Sequence, residues 1–198
     1  MATESFLKEA SEHVKPVHGL GFFYAGVGFI AYNLVFEYYD PMGYYDAVMR
    51  DKGLLERETA ILAQNMQEFL NQEEVIVNGE KCHPKVVMVD IGFAGSRKRP
   101  IVVFAVRFPA PITPGRNTYE NRYEPERIEY DYEAYWIFPP GSRILEVDMG
   151  EGRGEEWSVV SRNVLAIYGR KGGVTSGYEK IVFHIPPDVV RIRVEGIP

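Results

Sequence analysis

The chain carries a single cysteine, Cys82, in 198 residues. One thiol excludes an intramolecular disulfide framework and any cysteine-built zinc cage. Histidine is scarce as well. His13, His18, His83 and His184 are scattered, with no pair at metal-ligand spacing, so no metal site is expected. Positive charge is the minority sign: 22 lysines and arginines face 28 carboxylates, a net charge of -6. Phosphate binding needs a basic face, and the one compact basic run, Arg97-Lys98-Arg99, reads as a solvated turn; a nucleic-acid partner is therefore excluded. The opening "MATESFLKEASEHVK" mixes glutamates with lysines and lacks the basic n-region of a secretory signal. No cleavable signal is expected, and the compartment stays open.

Catalytic and cofactor motifs are missing too. The serine motif Gly-x-Ser-x-Gly is absent, and "FAGSRKRP" shares with it only a glycine before Ser96. Cys82 and His83 are neighbours, but adjacent side chains on a strand point to opposite faces and cannot form a dyad by adjacency. "GLGFFYAG" has no third glycine at the dinucleotide position, and "GRKGGVTSG" has no Walker order. No cofactor is implied.

What is present is a foldable mixture, with 45% hydrophobic and 25% charged residues, 19 glycines, 13 prolines and 13 tyrosines. A composition nearly free of cysteine, with its charge carried mainly by glutamate and arginine, is compatible with a thermophile. Residues 3–15 have helical spacing up to Pro16. Val17 to Phe36 holds no formal charge apart from His18 and is long enough to cross a bilayer, although four glycines and Asn33 lower its apolarity. The alternatives are a buried helix or a pair of core strands. Leu54 to Leu70 has the clearest helical periodicity.

Beyond Gln72 the period changes to two, and Asn78-Gly79 between apolar runs signals a hairpin. "PIVVFAVRF", "ERIEYDYEAYWIF", "RILEVDM", "NVLAIYGR", "YEKIVFHI" and "VVRIRVEGI" follow as strands. The expected fold class is α+β, mainly β: an antiparallel β-sandwich or jelly-roll-like domain of about eight strands. Residues 73–198 form that domain, and residues 1–72 form a helical and apolar segment packed on it or on a neighbouring subunit. Pro109 to Pro125 and Gly150 to Trp157 read as loops.

Three functional expectations follow. The first is a non-enzymatic, self-associating structural or interaction protein, a homo-oligomer such as a virion or cell-surface component, with an interface of Phe22, Phe23, Phe29, Ile30, Phe36, Ile61, Met66 and Phe69. Lipid contact through residues 17–36 is the less favoured use of the same segment. The second is a carbohydrate- or ligand-binding sandwich, or one with a protein partner. Here Arg116, Asn117, Tyr119, Asn121 and Tyr123 supply an amphipathic recognition surface. The third is a hydrolase with paired carboxylates, which requires Glu129 or Glu133 to face a cleft. Structurally, Glu129, Asp131 and Glu133 repeat along one strand face and repel one another. Arg191 and Arg193, alternating in the same way, are expected to lie beside them.

Overall fold

The computed structural model describes residues 3–189. Thr3 accepts the Phe6 N–H at 3.3 Å and starts helix α1 (Glu4–Ser11). The apolar segment that follows is neither a helix nor a detached arm. It is a long antiparallel hairpin, β1 (Lys15–Gly26) and β2 (Phe29–Tyr39), closed at Gly28, whose φ of 83° is a conformation that favours glycine. Among the described residues no helix is long and apolar enough to cross a membrane.

Helices α2 (Tyr44–Met49) and α3 (Lys52–Leu70) come next, the second matching its sequence periodicity and capped by Asp51, which accepts from the Gly53 and Leu54 N–H groups. The expected Asn78-Gly79 turn, both residues at positive φ, joins β3 (Glu74–Val77) to β4 (Glu80–Cys82). Then follow β5 (Lys85–Phe93), β6 (Pro100–Pro109), β7 (Gly115–Arg122), β8 (Asp131–Ile137), β9 (Arg143–Asp148), β10 (Glu155–Ser161), β11 (Val164–Gly169) and β12 (Tyr178–Ile185). The described residues hold twelve strands rather than about eight.

The chain is mostly β, with two sheets and three α-helices among the described residues. One sheet has seven strands in the order β10-β11-β8-β1-β2-β6-β5; the other has five, β4-β3-β7-β12-β9. Their facing sides share one core. Trp136, Phe108 and Leu165 come from the larger sheet, and Val77, Tyr119 and Phe183 from the smaller. Where the smaller sheet ends, α2 and α3 take over and cover Ile91, Val102 and Phe104 with Tyr45, Leu55 and Leu62.

Three expectations need correction. Residues 1–72 are not an appended segment, because β1 and β2 sit in the middle of the larger sheet, flanked by β8 and β6. The sheet is not wholly antiparallel, since β1 and β8 run parallel, with His18 opposite Asp131 and Tyr24 opposite Ile137. The Pro109 to Pro125 stretch is not all loop: Gly115–Arg122 is a strand paired on both sides. As for the acidic row, β8 begins at Asp131, and its two edges are filled by β1 and β11. Arg191 and Arg193 lie outside the described residues.

Candidate functional site

Strand alternation decides which polar groups face inward. In β7, Asn117, Tyr119 and Asn121 share the buried side, while Arg116 and Arg122 are exposed. In β12, Glu179 is in phase with the buried Ile181, Phe183 and Ile185. Just before β3, Glu73 is in phase with Val75 and Val77. Register then aligns three of these side chains, because Asn121 pairs with Glu179 on one side and with Val75, two residues after Glu73, on the other. A polar row, Glu73-Asn121-Glu179, thus runs across three neighbouring strands on the core side of the smaller sheet.

Opposite this row, the larger sheet presents aromatic rings. Phe23 stacks on Trp136 at 4.9 Å, Tyr32 lies 4.6 Å from Phe23, and Tyr119 closes on Trp136 at 4.4 Å. Between the sheets opens a cleft of about 650 Å³, within the range of small-molecule sites. Tyr123, Tyr130 and Tyr132 flank it, with Met66 and Phe69 from the end of α3. Tyr132 can lie in its place because Gly169 has no side chain: a Cβ there would fall 2.0 Å from the tyrosine ring.

A third carboxylate enters from β10. Glu155 accepts the Tyr132 hydroxyl and, at 2.8 Å, the Ser176 N–H. On the other side, Asn121 Nδ2 donates to Glu73 at 3.1 Å, and the Tyr119 hydroxyl reaches Glu179 at a long 3.5 Å. Asn121 Oδ1 is buried without a partner. Burial pushes the Glu73 carboxyl up to about 7, against the opposing pull of the Asn121 amide. Burial also raises Glu179 to about 7, and the negative charge of Glu73 adds to the effect. Tyr32 and Tyr119 are driven well above the ordinary phenol range, first by burial and then by the same two glutamates.

The residues singled out from sequence are dispersed. Tyr119, Asn121 and Tyr123 border the cleft, the first two as buried side chains rather than as a loop surface. Asn117 is a structural lock, accepting the Thr113 N–H and the Asn78 amide, and Arg116 points outward. Glu129 and Asp131 are exposed, and Glu133, beside the cleft, accepts the Tyr135 hydroxyl at 2.7 Å.

Of the residues assigned to assembly, Ile30 is fully buried and Phe23, Phe36 and Met66 pack inside the fold. Phe22 stacks on Tyr135 on the outer face of the larger sheet, and Phe29 packs under Arg107. Ile61 and Phe69 are exposed. Burial lifts the Cys82 thiol pKa, the opposite of what a nucleophile needs. No cluster of three or more metal-ligating side chains occurs among the described residues.

Sequence reasoning passed over Glu73, Glu155 and Glu179. A signal existed for two of them: a carboxylate that keeps phase with the apolar positions of its strand is aimed at the core.

No family model matches the sequence, and no curated protein matches it. Among solved structures, native yeast LTA4 hydrolase overlaps 88% of this chain with 29% of its own, at 8% identity and a TM-score of 0.32. An M1 zinc metallopeptidase from Deinococcus radiodurans overlaps 85% with 42% of its own, at 9% identity and a TM-score of 0.29. The yeast enzyme in complex with bestatin overlaps 92% with 33% of its own, at 7% identity and a TM-score of 0.31. The chain spans less than half the length of these proteins, and similarity at this level fixes neither a family nor a function for it.

Proposed function

We propose that the protein binds a small organic molecule in the cleft between its two sheets. We read the body as an open ligand-binding sandwich rather than a jelly roll, because β1 and β8 run parallel. The observation that carries the reading is the pairing of aromatic walls with the inward row Glu73-Asn121-Glu179. Burying carboxylates costs stability unless something compensates it, and a chain that keeps two of them in one cleft has a use for them there.

The test uses tryptophan emission. Trp157 is exposed, so Trp157→Phe leaves Trp136, in the cleft wall, as the reporter. A fragment library containing neutral, anionic and cationic members is titrated against that variant. Ligands of the cleft shift Trp136 emission and are lost in Tyr132→Ala. Hits indifferent to Tyr132, or no hits, count against the reading.

Two other readings keep a specific observation each. A carboxylate pair titrating near neutrality suits general acid-base catalysis, and in that case Glu73 and Glu179 rather than Glu129 and Glu133 are the acid and base. Self-association keeps the edge strand β10, where Trp157, Val159 and Val160 are exposed.

A further inference from the structure

We propose that the ligand of this cleft carries a protonated amine, its ammonium group seated among Glu73, Glu179 and the unpartnered Oδ1 of Asn121, and its apolar body against Phe23, Tyr32 and Trp136. The inference rests on the reading of the cleft as a ligand site and names the chemical class that site takes.

Donors and acceptors are out of balance in the cleft. Asn121 is only 5% exposed and lines the cleft; its Nδ2 is spent on Glu73, while its Oδ1 has no partner. The hydroxyls of Tyr119 and Tyr132 are given to Glu179 and Glu155. Beside the hydroxyls of Tyr32, Tyr123 and Tyr130, what the interior offers a newcomer is acceptors. An ammonium group brings only donors, three for a primary amine, and matches that demand. Sugar hydroxyls accept more than they give, and against so many carboxylates most of their accepting capacity would go unmet.

Charge in the cleft also favours a cation. Glu73, Glu155 and Glu179 lie inside, Glu126 and Glu129 stand at the rim, and among the lining residues Arg127 is the one positive group, itself exposed. A carboxylate or phosphate ligand meets repulsion there. A cation gains from the carboxylates and from the faces of electron-rich rings.

Proton coupling follows. The groups facing the pair are Tyr32 from β2, Tyr119 and Asn121 from β7, Tyr123 after it, and Glu155 with Tyr132 across the cleft. None of them is a cation that would hold both glutamates ionised, and both titrate at about 7. An arriving ammonium favours the ionised pair, so binding releases a proton near neutrality and weakens as pH falls.

The experiment is calorimetric titration of the full chain near neutral pH. Phenethylamine and hexylamine are each compared with the matching alcohol, beside a set of neutral sugars, in two buffers of different ionisation heat. Glu73→Gln and Glu179→Gln are run in parallel after their fold has been checked by circular dichroism. The expected result is binding of the amines but not the alcohols, proton release, and a loss of at least about tenfold in either variant. Alcohols or sugars binding as well as or better than the amines would overturn the amine assignment and leave the cleft reading standing. Silence from every compound, together with an empty fragment screen, would remove both.

Discussion

Glu73 and Glu179 set a stability signature that can be read without any ligand. Their carboxyls titrate at about 7 when folded, above the ordinary value of 4.5 that the unfolded chain shows. The folded state thus binds protons more tightly than the unfolded one. Stability is full below the unfolded value, falls as pH rises from there to about 7, and stays low above it. The loss is at most about 3 kcal/mol per group by the size of the shift, and solvent reaching the cleft trims it. Glu73→Gln and Glu179→Gln are each expected to raise stability by about 1–2 kcal/mol at pH 8 and to change it little at pH 5, as urea unfolding curves at the two pH values would measure. Equal effects at both would mean that the carboxyls titrate normally and that the cleft is wetter than described.

At the scale of elements, a local rule is readable wherever one residue type does the work. The Asn78-Gly79 turn and the Leu54–Leu70 helix were legible because a positive-φ pair and a helical repeat are both local signals. The Gly115–Arg122 strand was not, since prolines precede it and Asn117 and Asn121 occupy core-facing positions where apolar residues mark a strand. Glu73 and Glu179 were legible in phase but not in meaning, because register alone brings them together across β7. Asp40 is a similar case. It is fully buried, and its carboxylate accepts the N–H groups of Gly43, Tyr44 and Tyr45, fixing the start of α2 over the second core. Asp40→Ala orphans those donors and is expected to cost about 2–4 kcal/mol, whereas Asp40→Asn, which keeps one acceptor, costs less. Chemical denaturation of the three proteins gives the order; an Ala variant as stable as the parent would show that α2 is held by packing alone.

For the whole molecule, the decisive contact is the parallel pairing of β1 with β8. Sequence patterning put a boundary near residue 72 because the period changes there from helical to alternating. Long-range pairing erases it: β1 and β2 lie between β8 and β6, so the first 39 residues join strands that begin only at Asp131 and Pro100. Removing residues 1–36 takes all of β1 and most of β2, strips Phe23 from Trp136, and leaves β8 and β6 with open edges and no neighbour between them. The remaining strands cannot close the gap without abandoning the core in which Ile30, Tyr32 and Phe108 meet. A chain of residues 37–198 is therefore expected to be unfolded or aggregated, with no dispersed amide spectrum, while the full chain unfolds in a single cooperative transition. A soluble, dispersed fragment would restore the boundary and free the N-terminal hairpin to serve as an assembly arm. Loss of fold would instead bind that hairpin to the cleft, since Phe23 and Tyr32 on β1 and β2 form the wall that faces Glu73 and Glu179.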